Sequence, residues 1–200
     1  MKETGILFTP DNYTKCETGT KTQTRRIIKP QPPEGSTIWQ CEGIGSQWQV
    51  RRCDPWHSIT CPYGTIGDRL YVKEAIYIDH FDYDKGPLPK KKPDLEDGML
   101  IYRRDGTCCQ QFSECQCGGK GVKWRSPLFR PKWAARLWLE ITDVQVQRLI
   151  EIPQLDAMEE GADWPDYKVG YKAIWESIHG SGSWEANPYV FAISFKKVSR

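Results

Sequence analysis

At 200 residues the chain can bury one real core and is short for two domains of ordinary size. A net charge of +2 is too near neutral to mark a nucleic-acid binder by charge alone. No apolar stretch is long enough to cross a bilayer, and the start lacks the charged-then-apolar pattern of a secretory signal. These features together read as a cytoplasmic chain.

In chain order, Gly5-Ile6-Leu7-Phe8 predicts a first strand. Thr9-Pro10-Asp11 then reads as a helix start, with a hydroxyl cap, proline at the first helical position and acid in the first turn. Gly19 is its natural stop. Gly19-Thr20-Lys21-Thr22-Gln23-Thr24-Arg25-Arg26 follows, eight residues without one apolar side chain. A run this polar reads as a solvated turn or as a site. As a site, Lys21 and Thr24 fall within reach of one another, and Arg25 and Arg26 offer fork-shaped donors suited to phosphate.

Residues 31–62 read as an irregular insertion, with Trp39, Trp48, Trp56 and three cysteines among prolines and glycines. Tyr63 to Asp68 is a turn cluster, and Arg69 to Ile78 alternates as a strand with Leu70, Val72, Ile76 and Ile78 on one face. Glu74 has the parity of that apolar face. It must therefore pair with an arginine or line a cavity beside Lys21 or Arg26.

Residues 79–130 read as a second insertion, containing the Lys90-Lys91-Lys92 run and a short strand near Met99–Tyr102. Arg136 to Leu149 carries the strongest strand signal, kinked at Thr142-Asp143. Pro153 to Glu160 predicts a short helix ended by Gly161. Tyr167 to His179 predicts a longer one, with Tyr171, Ile174, Trp175 and Ile178 on one face and Gly180 as its stop. Tyr189 to Val198 is the last strand. Strands outnumber helices without a parallel β-α-β rhythm, so the expected fold is one α+β domain over residues 1–200. Its frame would be a small, mostly antiparallel β-barrel with helices over its openings and the two cysteine-bearing insertions.

The Gly19–Arg26 stretch, Gly67-Asp68-Arg69-Leu70-Tyr71-Val72, Leu139-Glu140-Ile141, Glu159-Glu160-Gly161 and the Val190–Phe195 strand, in that order, resemble the ASCH domain family, relatives of the PUA RNA-binding fold. Cys61-Pro62-Tyr63-Gly64 and Trp175…Asn187-Pro188 are similar to ASCH proteins carried by bacteriophages and prophages, which implies a bacterial host's cytoplasm. The resemblance covers roughly residues 5–30, 61–78 and 131–198 and leaves the insertions outside it. It implies a cleft that accepts a nucleotide or nucleic-acid strand. Some small members are amidohydrolases acting on N4-acetylcytidine, others bind RNA, and ribonuclease activity has been attributed to some. The resemblance carries the amidohydrolase set onto Lys21, Thr24 and Glu160.

The residue chemistry is compatible with that set. Lys21 would serve as nucleophile, base or oxyanion stabiliser, Thr24 would position the substrate carbonyl, and Glu160 would transfer protons. Arg25, Arg26 and Glu74 complete the expected site as substrate-binding groups. Two other functions stay open: a non-catalytic RNA or DNA reader, and a phage accessory protein whose insertions bind a host or virion partner.

Catalysis in this scheme needs no cofactor, but the cysteines raise a structural question. Eight cysteines in a reducing compartment point to metal or free thiols rather than disulfides. Cys53-x-x-x-His57-x-x-x-Cys61 mixes nitrogen and sulfur ligands, and Cys108, Cys109, Cys115 and Cys117 cluster in the second insertion. The expectation is one structural zinc held by Cys108, Cys115 and Cys117, with Cys109 or a residue of the first loop as fourth ligand. Protein purified without chelator should carry about one zinc per chain and lose stability when chelated. Absence of stoichiometric zinc overturns this.

Overall fold

Alternating apolar residues build the sheet and turn chemistry punctuates it. The computed structural model describes residues 1–40, 47–51, 57–78, 92, 100–102 and 126–199. Strand β1 (Glu3–Leu7) leads to helix α1 (Pro10–Thr18), and β2 (Gln23–Ile27) follows. Thr9 caps α1, its hydroxyl accepting from Asn12 N–H, and Gly19 ends it in the left-handed region at φ 81°. That conformation favours glycine, which makes the stop local and strong.

The principal sheet joins β1, β6 (Arg69–Lys73), β9 (Trp138–Arg148), β10 (Tyr189–Val198) and β2, in that order. β1 pairs with β6 in parallel and the remaining pairs are antiparallel. The kink expected at Thr142-Asp143 is a bulge: Ser194 pairs with Asp143 and Phe195 with Ile141, leaving Thr142 unopposed.

The architecture is α+β, as expected, but the barrel needs correcting. Among the described residues the strand ladder is open, with β1 and β2 as its two edges. Side chains bridge the gap between those edges. Arg26 on β2 donates through Nη2 to Leu7 O at 2.6 Å, and Phe8 packs on Phe195. A charged, β-bridging side chain thus sits where a barrel would have its last hydrogen-bonded pair.

The two insertions fare differently. Residues 31–62 were expected to be irregular, yet β3 (Thr37–Gln40), β4 (Gln47–Arg51) and β5 (His57–Thr60) form a three-stranded antiparallel meander. Its anchor is Trp48, buried against Phe191 with ring centroids 5.5 Å apart. Most of 79–130 lies outside the described residues, including Lys90, Lys91 and Cys108, Cys109, Cys115 and Cys117. Within it, β8 (Leu100–Tyr102) pairs with β7 (Ile76–Ile78).

Strand β10 separates two cores. Phe191, Ile193 and Phe195 face one, with Leu70, Val72, Leu139, Ile141 and Trp48. Val190 faces the other, where helices α2 (Gln154–Glu159) and α3 (Tyr167–His179) pack through Ala157, Tyr171 and Trp175. Asp166 caps α3, accepting from Lys168 and Val169 N–H. Among the described residues no helix is long and apolar enough to cross a membrane.

Trp48 tests whether the meander belongs to the main core. Trp48→Ala should lower stability by about 3–5 kcal/mol in urea unfolding, the usual cost of truncating a buried tryptophan. A loss below about 1 kcal/mol would mean that the meander only leans on the sheet.

Candidate functional site

The polar stretch that opens β2 is buried. Lys21, Gln23, Thr24 and Arg25 are all inside, although none of them gains from leaving water. Backbone hydrogen bonds hold the segment in place from three sides. Lys21 N–H donates to Lys15 O at the end of α1, Thr22 N–H to Glu159 O at the end of α2, and Phe195 N–H to Thr22 O from β10.

Charge compensation makes the burial tolerable. The Lys21 and Glu160 side chains are each only 3% exposed and meet at 2.5 Å, Nζ to Oε2. Lys21 Nζ also donates to Glu160 O at 2.7 Å, setting a cation at the carbonyl end of α2. An ammonium has three N–H donors, so one is left for the cavity beside it. Arg25 grips the other carboxylate oxygen, Nη1 to Glu160 Oε1 at 3.2 Å, and donates to Asp156 Oδ2 at 2.7 Å and Gln23 Oε1 at 2.5 Å. Gln147, with its amide oxygen turned inward, accepts from Arg25 Nε and Nη2. Arg25 is therefore spent on the protein and holds Glu160 in place.

Gly161 lets the chain turn away immediately after Glu160. Its φ of 83° is strained for other residues, and a Cβ there would meet Lys15 Cδ at 2.9 Å. Lys15 Nζ donates to Gly161 O, tying α1 to the same corner.

These groups open onto a cavity of about 280 Å³ along the edge strand β2. Its lining draws Phe8, Thr9 and Asn12 from the start of the chain, Lys21, Thr24, Arg25 and Arg26 from β2 and the turn before it, Glu160 from the end of α2, and Tyr171, Trp175, Ile178 and His179 from α3. His179 stacks on Trp175 with centroids 4.2 Å apart. Burial and the neighbouring Glu160 carboxylate, which also accepts its hydrogen bond, push the Tyr171 phenol well above its usual value. Tyr171 is accordingly a fixed donor rather than a proton shuttle. Burial likewise pushes the Cys16 thiol up to about 12, which rules out a thiolate nucleophile beside Lys21.

Of the residues singled out in the sequence, the fold gathers Lys21, Thr24, Arg25, Arg26 and Glu160 around one cavity. Glu74 is not with them. β6 ends at Lys73 and β7 belongs to a separate sheet, so the alternation that aimed Glu74 at the cleft stops one residue before it. Its carboxylate takes a two-pronged bond from Arg136, Nε and Nη2 at 3.0 Å each, and an ion pair with Arg130 at 3.3 Å. The expected contact with Lys21 or Arg26 is replaced by a structural pair of arginines.

The zinc quartet and Cys53 lie outside the described residues, and among the described ones no cluster of metal-ligating side chains forms. Cys61 is buried and free. Sequence reasoning missed Phe8, Asn12 and His179 as cavity residues. It read Tyr171 and Trp175 as a packing face only. The signal for His179 was there, since it continues the Tyr171–Trp175 stripe by one further turn.

Glu160 is the keystone by charge. Glu160→Gln leaves the buried Lys21 without a carboxylate and removes one of the two that Arg25 holds, and should cost about 3–5 kcal/mol in urea unfolding at pH 7. Asp156→Asn, at a carboxylate 27% exposed, should cost about 1 kcal/mol or less. Equal small effects would show that water reaches the cluster freely.

No protein-family model matches the chain, and no curated protein does. Among solved structures it is similar to the high-resolution crystal structure of an ASCH domain from Lactobacillus crispatus JV V101. That match is 12% identical, covers 98% of this chain and 79% of the other, and has a TM-score of 0.38.

Proposed function

We propose that this chain is an ASCH-type protein that receives a modified nucleobase in the cavity along β2 and hydrolyses an acyl amide on it, of the N4-acylcytidine kind. The observation that carries the reading is the buried Lys21–Glu160 pair in the lining of a cavity that Phe8, Tyr171 and Trp175 also line. At about 280 Å³ the cavity lies at the small end of ligand pockets, a size suited to one base with a short substituent rather than to a stacked strand.

The chemistry follows from what each group has left to give. Glu160 takes a proton from a water molecule, and the resulting hydroxide adds to the amide carbon. The spare N–H of Lys21 and the Thr24 hydroxyl stabilise the oxyanion. Collapse breaks the C–N bond, and the leaving amine takes the proton that Glu160 holds. One amide and one water become one carboxylic acid and one amine. Lys21 is better suited to stabilising charge than to nucleophilic attack, because its ammonium is engaged by a carboxylate and a carbonyl. Arg25 acts through Glu160 as a positioning residue.

Hydrolysis of N4-acetylcytidine by the purified chain is the direct test. Lys21→Ala and Glu160→Gln should each slow it by a factor of about a hundred or more, assayed where circular dichroism shows both variants folded. A second reading, a non-catalytic RNA or DNA reader, is favoured by one specific feature. Lys21 and Glu160 satisfy each other, so the cluster is stable without doing chemistry. A reader would show no turnover and a steep loss of binding with salt. In that case Lys21→Ala and Arg26→Ala weaken binding and flatten the salt slope, whereas Glu160→Gln does little. Neither turnover nor binding would remove both readings.

A further inference from the structure

Cations in the cavity fall into two groups. Lys21 and Arg25 share Glu160 and Asp156, so their charge is met inside the protein. Arg26 has no carboxylate among the described residues. Its Nη2 goes to Leu7 O, its Nε is buried without a partner, and its remaining contacts are the ring faces of Phe8 and Tyr63. Strand parity causes the difference. Arg25 pairs with Ala192 and Arg26 with Phe191, which puts the two guanidinium groups on opposite faces of β2. Only Arg25 faces the carboxylates of α2.

Arg26 has basic side chains for company instead. His179, in the last turn of α3, lines the same cavity and is exposed at its rim. Burial holds its imidazole below the usual 6.5, and the fields of Arg26 and Lys29 hold it lower still. Lys29 is exposed two residues beyond β2. Beneath them Trp175 Nε1 is a further buried donor without a partner. The cavity lining thus holds a guanidinium, an imidazole and an indole N–H, with the Lys29 ammonium just beyond the strand, and among the described residues no carboxylate pairs with Arg26. Like charges brought together at a cavity rim repel, and an anion removes that cost.

The geometry points to a phosphate subsite formed by Arg26, Lys29 and His179, so that the ligand is a nucleotide rather than a bare nucleoside. This rests on the nucleobase reading above. Several donors arriving from different directions suit a tetrahedral anion with three free oxygens better than a planar carboxylate. The subsite sits at the rim while the base enters between Phe8 and Trp175. The phosphate belongs either to a mononucleotide or to the backbone of a strand whose one base is inserted.

Titration calorimetry on the full chain distinguishes these. The probes are the four ribonucleosides, their 5′-monophosphates, inorganic phosphate and a single-stranded RNA tetramer. At least one monophosphate should bind about tenfold or more tighter than its nucleoside, the return expected from charge-assisted hydrogen bonds. The ratio of monophosphate to nucleoside affinity should fall toward one in Arg26→Gln, and part of the way in Lys29→Gln and His179→Gln. The last two change exposed side chains and guard against a folding artefact in the first. A tetramer no tighter than the monophosphate assigns the phosphate to a mononucleotide, and a tighter one with the same Arg26 dependence assigns it to a strand. Equal affinities for nucleoside and monophosphate overturn the subsite and leave the base reading standing. So does a ratio that survives all three substitutions. If no nucleoside and no nucleotide binds, the base reading itself fails, whatever inorganic phosphate does.

Discussion

The buried carboxylate of Glu160 is the constraint around which the rest is arranged. It lies between Lys21 and Arg25, and it is the carboxylate that meets the buried Lys21 among the described residues. Taking these charges out of water is costly, and geometry has to repay the cost. The fold supplies that geometry with backbone rather than with further side chains. Thr22 N–H reaches Glu159 O, Phe195 N–H reaches Thr22 O, and Gly161 turns the chain where a side chain would collide with Lys15. Three elements distant in sequence are thereby fixed to within a hydrogen bond of one another.

That arrangement also explains why neighbouring arginines have different fates. A strand turns successive side chains to opposite faces. The Arg25 side faces α2 and is consumed by Asp156, Glu160, Gln23 and Gln147. The Arg26 side faces Phe8 and Tyr63 and keeps donors to spare. A one-residue slip of β2 against β10 would exchange them and leave a guanidinium buried without an acid. Register and charge pairing therefore specify each other.

Much of the frame was legible in the sequence because it rests on local rules. Thr9-Pro10 and Gly19 bound α1, and the α3 stripe and the terminal strand fall where periodicity puts them. The α3 face was read for packing, while its role as a cavity wall depends on what stands opposite. The Lys21–Arg26 stretch was legible as an unusual polar run but not as a buried strand, because its burial depends on a carboxylate more than a hundred residues away. Glu74 misled for a related reason. Alternation was extended through Ala75, where the chain leaves one sheet for another, and nothing local marks that exchange. The meander of residues 31–62 was hidden by its prolines and glycines, which dominate composition without preventing three short strands.

The meander also has a mechanical bearing on the site. Trp48 packs on Phe191, and Phe191 is the cross-strand partner of Arg26. β2 is an edge strand held on one side only, so its outer face depends on what supports β10 beneath it. A loosened Trp48 would let Phe191 move, and the arginine registered opposite it would move with it. Arg26 bridges to Leu7 O and closes the gap between the sheet edges. A meander outside the principal sheet thus bears on the position of a cavity arginine that has no acid among the described residues.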